Sequence, residues 1–161
     1  MILDVARMDP DGEDVEGEDP AEILEWDFER ERLFYPVAPV RYRFHAQLAG
    51  REVLVTGSVS TRFGGMCTRC GGPLDIEVRD DEFCQSFPYE EGADQRLDLT
   101  SEERISILLA LPANPVCRPD CPGVCPRCGR RLADGPCDCA AKGSSVWDAL
   151  SGLSLNGKNH P

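Results

Sequence analysis

Histidine is almost absent from this sequence: among 161 residues only His45 and His160 occur. His160 sits in the tail, and His45 lies in a strand-like run with no flanking carboxylate. Cys84 stands alone between Phe83 and Gln85, so no nucleophile–base constellation can be assembled from these residues. A lone cysteine in a strand is expected as a small buried hydrophobe. A phosphate-cradling glycine loop and a paired-carboxylate signature are missing too, and the sequence predicts a non-enzymatic protein. Bases are scarce, with 17 Lys and Arg against 29 Asp and Glu and a net charge of −12. That balance argues against indiscriminate binding to nucleic acid and leaves room only for a local basic face. No apolar run approaches the ~18–20 residues of a membrane span. The N-terminus lacks a basic stretch followed by an apolar one, so a reducing, cytoplasmic location is expected.

Apolar residues run short again between Cys117 and Cys139, where almost nothing but Val124 and Leu132 is available to bury. Pro119, Pro122, Pro126 and Pro136, with Gly123, Gly129 and Gly135, exclude a regular helix or a central strand there. Yet six of the nine cysteines crowd into these 23 residues. Something other than a hydrophobic core must hold them. A thiolate-bound metal is the economical answer, since structural zinc supplies ~10–16 kcal/mol of folding free energy at a small site. In a reducing compartment, cysteines at pair spacings read as metal ligands rather than disulfides.

The pairs are Cys67/Cys70, Cys117/Cys121, Cys125/Cys128 and Cys137/Cys139. Four pairs make two four-cysteine zinc sites. Pairing along the chain favours Cys125, Cys128, Cys137 and Cys139 in one, with Cys67 and Cys70 reaching across to Cys117 and Cys121 in the other. The alternative groups Cys117, Cys121, Cys125 and Cys128, leaving the first pair to join the last. Either way both sites are closed, and closed thiolate sites are structural. Arg69, Arg118, Arg127, Arg130 and Arg131 lie beside these cysteines; they either compensate the thiolates or form a phosphate-facing patch. Thiol redox chemistry is a weaker reading, because both CxxC motifs sit in Gly/Pro loops rather than opening helices.

The chain divides into four stretches. Residues 1–35 carry a short strand over 1–5 and an acidic segment, with 13 acids against 3 bases; Asp9 to Asp19 reads as a mobile loop. Residues 22–35 show no clean period and their type stays open. Residues 36–112 read as an antiparallel meander with a packed helix. Val40 to Leu48 alternate with polar residues, Ala49-Gly50 offers a reversal, and Val53, Val55, Val59 and Phe63 form one face of a second strand. A glycine-flanked knuckle at Cys67–Cys70 leads to a third strand through Leu74, Ile76 and Val78 towards Phe83 and Phe87. Residues 89–98 read as a polar loop. Thr100 is placed as an N-cap with Glu103 completing a capping box, and Ile105, Leu108, Leu109 and Leu111 as the helix's apolar stripe, ended by Pro112. Residues 113–143 form the cysteine-rich zinc module. Residues 144–161 supply a short helix, capped at Ser144 or Ser145 and running through Val146, Trp147, Leu150 and Leu153, and a tail. The fold class is therefore α+β: a β-meander with one amphipathic helix and a zinc-stapled C-terminal module.

Five pieces, MCTRCGGPL at 66–74, SEERISILLALP at 101–112, NPVCRPDCPGVCPRCGRRL at 114–132, CDC at 137–139 and WDALSGL at 147–153, together resemble the YceD family of bacterial and plastid proteins. That family is linked to accumulation of large-subunit ribosomal RNA. The resemblance implies a non-enzymatic role in ribosomal RNA processing or large-subunit assembly. Taken with the cysteine spacing, it predicts a zinc-binding factor in large-subunit ribosome biogenesis with ribosomal RNA or a ribosomal protein as partner, and no membrane or small-molecule substrate is expected. Where the family's C-terminal helix usually starts Asp-Pro-Arg, this chain has Ser144-Ser145-Val146. The acidic N-terminal insert also departs from the pattern. A protein–protein adaptor that never touches RNA is the competing expectation, and a thiol–disulfide protein a more distant one.

Overall fold

The computed structural model describes residues 1–9, 11–27, 33–90 and 95–139. The architecture is α+β, built from antiparallel sheets and, among the described residues, one α-helix. The helix expected over 144–153 lies outside the described residues.

Strands β4 (Val40–Ala49), β5 (Glu52–Met66) and β6 (Pro73–Pro88) form the antiparallel meander. Alternation decides their faces. Val53, Val55, Val59 and Phe63 of β5 are fully buried, and Phe44 and Ala46 of β4 pack beside them. Phe44 lies against Phe83 of β6 with ring centroids 4.5 Å apart. On β6 the buried positions change parity, from Leu74 and Val78 to Phe83. A regular strand cannot do that. The register slips between Gly57 and Val59, where Asp81 and Glu82 oppose Ser58 alone. This bulge turns Phe83 back to the core. It also turns the next residue, Cys84, to solvent, so the thiol expected to be buried is exposed.

Two further strands complete the main sheet. Strand β3 (Phe34–Pro36) pairs with the knuckle end of β5. Its Phe34 stacks on Phe63 at 4.7 Å, and Trp26 meets Phe63 edge-on at 5.1 Å. Strand β2 (Glu13–Asp19) pairs with β4 along its whole length, where the sequence suggested a mobile acidic loop. Burial could not foretell this strand, because its support is cross-strand charge. Arg41 donates to Glu18 at 2.8 Å, Arg43 lies 3.6 Å from Glu16, and His45 Nδ1 sits 2.7 Å from Asp14.

A small second sheet joins β1 (Ile2–Asp4) to β7 (Arg96–Asp98), so the expected polar loop over 89–98 ends in a strand. Helix α1 (Thr100–Ala110) follows. Its start differs from the expected capping box. Thr100 is the first helical residue, its N–H donating to Asp98 Oδ1 at 3.0 Å, and no side chain caps the helix from Leu99. Glu103 turns inward instead, completely buried 3.3 Å from the α-amino group of Met1, which also binds Asp19. The buried residues of the helix are Glu103, Ser106 and Ile107; of the expected stripe, Leu111 packs against the core and Ile105 and Leu109 do not. Ser106 donates to Asp80, the residue before the β6 bulge, at 2.5 Å. Among the described residues neither buried Glu103 oxygen has a hydrogen-bond partner, and the carboxylate is met only by the Met1 amine. Ile105 and Leu109 face outward.

Candidate metal centre

The turn from β5 to β6 carries the first cysteine pair. Cys67 N–H donates to Gly72 O at 2.8 Å, and Gly71 N–H to Cys67 O at 2.8 Å. Gly71 takes φ +66°, a left-handed conformation that costs glycine nothing. The same construction recurs at Cys125. There Cys125 N–H donates to Arg130 O at 2.8 Å, Gly129 N–H to Cys125 O at 2.9 Å, and Gly129 has φ +71°. Two Cys-x-x-Cys-Gly knuckles thus share one hydrogen-bond pattern, with two sulfurs converging on the concave side of each.

Helix α1 delivers the chain to the first knuckle. Thr68 donates to Pro115 O at 3.0 Å from both its backbone N–H and its hydroxyl. This docks Cys117 and Cys121 over Cys67 and Cys70. Cys67 Sγ lies 3.9 Å from Cys121 Sγ, and Cys70 Sγ lies 3.9 Å from Cys117 Sγ. All four sulfurs fall within 4.8 Å of one another. Cys125, Cys128, Cys137 and Cys139 form a second such group, also within 4.8 Å. The structure therefore divides the four pairs in chain order. We call the groups the proximal and distal clusters.

The donor sets fit zinc. A tetrahedron of Zn–S bonds of ~2.3 Å has sulfur–sulfur edges of about 3.8 Å, matching the 3.9 Å separations. All nine cysteines are free thiols, and contacts of 3.9 Å are far too long for disulfides. The thiols are already differentiated. Burial disfavours ionising Cys67, but backbone N–H groups of Cys117, Cys70 and Arg69 outweigh it and bring its pKa down to about 6. Backbone N–H groups of Cys128 and Arg127 do the same for Cys125, also to about 6. Cys117 moves the other way, to about 12, through burial of its sulfur and the neighbouring thiols of Cys121, Cys67 and Cys70. Cys139 reaches about 12 through hydrogen bonding to Cys128, with burial adding to it. One thiolate per cluster forms readily and resists its neighbours' ionisation; a bound divalent cation reverses that repulsion.

The clusters differ in surroundings. In the proximal one Cys67, Cys70 and Cys121 are buried, with Val116 packed against them. In the distal one only Cys125 is buried, while Cys128 is exposed. Arginines join the two. Arg69 donates to Cys121 O at 3.1 Å and lies against Gly123. The Arg131 guanidinium covers Gly72 so closely that any side chain there would collide with it. Arg131 also approaches Asp134 at 3.8 Å, and Arg118 pairs with Asp120 at 3.3 Å. Of the five arginines singled out, Arg69 and Arg131 thus hold the clusters to the sheet, while Arg118, Arg127 and Arg130 are exposed around them.

Sequence reasoning missed one arrangement. His45, without a carboxylate neighbour in sequence, meets Asp14 from β2 on the solvent face. The register continues this row through Thr56 to Cys84. Nothing local signals it, because each member comes from a different strand.

Residues 55–154 match the family model described as large ribosomal RNA subunit accumulation protein YceD. That span contains all eight cysteines of the two clusters. Uncharacterised proteins of Mycobacterium bovis and Mycobacterium tuberculosis are each 38% identical over 98 residues, covering 52% of this chain and 47% of theirs. One from Mycobacterium leprae is 29% identical over 115 residues, covering 62% and 52%. The chain spans about half the length of these curated relatives. No solved structure matches it.

Proposed function

We propose, from the premise that this chain belongs to the YceD family, that it is a zinc-stabilised, non-enzymatic factor in large-subunit ribosome biogenesis. It acts by binding ribosomal RNA or a large-subunit ribosomal protein. The observation that carries the metal part of this reading is the pair of four-sulfur clusters with tetrahedral spacing. Cys67, Cys70, Cys117 and Cys121 hold one zinc ion, and Cys125, Cys128, Cys137 and Cys139 the other. With four thiolates each, neither ion keeps a position for water, so the zinc is structural and not a Lewis acid. A reducing cytoplasm keeps such thiolates competent. Among the described residues no helix is long and apolar enough to cross a membrane.

The RNA contact falls to Arg118, Arg127 and Arg130, with Arg69 and Arg131 contributing charge while they hold the module. Arg127→Ala with Arg130→Ala tests it without disturbing the arginine over Gly72. Wild-type protein should bind large-subunit ribosomal RNA with affinity falling steeply in salt. The double variant should flatten the log–log salt slope by about 1.5–2 and keep two zinc ions. An unchanged slope overturns the RNA contact. A second reading, a basic protein partner, is favoured by the 13 acids against 3 bases in residues 1–35. It is supported if RNA binding is absent and a large-subunit protein co-purifies. A thiol–disulfide role requires turnover by metal-free protein, and tightly held zinc in a 2:1 ratio would sink it.

A further inference from the structure

Helix α1 carries apolar side chains on two opposite sides, the inner one shared with Glu103 and Ser106. Its inner side buries Ile107 completely. Its outer side carries Ile105 at 55% exposure and Leu109 at 81%. These two are four residues apart, so they form one ridge. Half-buried Leu108 borders it. A single exposed leucine is ordinary, but a helix apolar on both sides is normally covered on both.

We infer that the outer ridge of α1 is a docking surface for residues 144–153 of this same chain. The apolar residues Val146, Trp147, Leu150 and Leu153 follow one another at i, i+1, i+4 and i+7, the spacing of one helical face. That face complements a ridge formed by Ile105 and Leu109, in the way helices pack. The family match runs through residue 154, so this segment belongs to the same homologous unit as α1 and the clusters. Leu109 lies eight residues before Cys117 in the proximal cluster, and Val146 lies seven residues after Cys139 in the distal one. The arginine contacts hold these clusters side by side. Seven residues of extended chain span up to about 25 Å. Tyr35 and Val37 are also exposed, but they flank Gly64 beside the main sheet and are not on a helix. The inference does not depend on the RNA or protein-partner reading.

Hydrogen exchange on the intact, zinc-loaded monomer tests it, with the oligomeric state checked by sedimentation. The amides of 146–153 should exchange at least about tenfold more slowly than in an unstructured peptide. Leu109→Asp should abolish that protection, and Val37→Asp, the control, should leave it intact. Because Leu109 is exposed, the variant should fold and keep two zinc ions. A second readout uses Trp147, one of only two tryptophans. In a Trp26→Phe background its emission should shift to the red on adding Leu109→Asp. Unprotected amides in the monomer would mean that an outside partner covers the ridge, and would overturn the inference. Protection that survives Leu109→Asp, or that appears only as a dimer forms, overturns it equally.

Discussion

Replacing Cys117 and replacing Cys137 should have very different consequences, although each removes one thiolate from a four-sulfur cluster. Cys117 belongs to the proximal cluster, which ties the β5–β6 turn to the segment leaving α1. Cys137 closes the distal cluster, which touches the sheet mainly through Arg131 over Gly72 and Arg69 beside Gly123. A structural zinc site contributes ~10–16 kcal/mol to folding, while a typical domain is stable by only ~5–15 kcal/mol. If Cys117→Ser forfeits even ~5 kcal/mol of the proximal contribution, the melting temperature should fall by about 10–20 °C for a chain of this size. Exchange should accelerate over 63–74 and through α1. Cys137→Ser should leave the main transition within a few degrees, with faster exchange confined to 123–139. Each variant should retain one zinc ion per chain by elemental analysis, and Cys84→Ser, on the exposed strand face, should retain two. The reasoning fails if Cys137→Ser loosens the sheet as much as Cys117→Ser does, or if either change empties both clusters.

Two other outcomes follow from the core. Burial lifts the pKa of Glu103 to about 7, with the Met1 amine opposing the shift. A raised acid pKa means that the folded chain holds a proton which the unfolded chain releases above about pH 4.5, so stability falls as pH rises towards about 7. The melting temperature of Glu103→Gln relative to wild type should therefore climb between about pH 4.5 and about pH 7 and level off above it; a flat difference across that window would refute the buried-acid account. Gly57 has φ +150°, and a Cβ there would run into the Arg43 carbonyl oxygen. Gly57→Ala should cost on the order of 3 kcal/mol, seen in denaturant unfolding. A cost near zero would show that the bulge beside it relaxes freely.

Much of the sheet could be read directly from the chain. Strands β4 and β5 show themselves because one face is buried and the other wet, and burial leaves a two-residue period. Strand β2 escaped, since its support is Glu16, Glu18 and Asp14 meeting bases on β4. An acidic segment held by ion pairs looks, in sequence, like an acidic segment held by nothing. The α1 stripe was misplaced for a related reason. Ile105 and Leu109 are as apolar as Ile107, but the helix turns Glu103 towards the Met1 amine and Ser106 towards Asp80 instead, contacts that come from distant parts of the chain.

The metal centre divides along the same line. Cysteine pairs at short spacing, set in segments too poor in apolar residues to fold otherwise, were enough to point to eight thiols gathering in two groups of four. Knuckle geometry is local, so the glycines after Cys70 and Cys128 already specify it. Which pair meets which is not local. Only the tertiary structure, by docking the α1 exit on the β5–β6 turn through Thr68 and Pro115, placed Cys117 and Cys121 against Cys67 and Cys70 and left the distal four to close on themselves. Thiolates carry no partner code, so the backbone that positions them makes the choice.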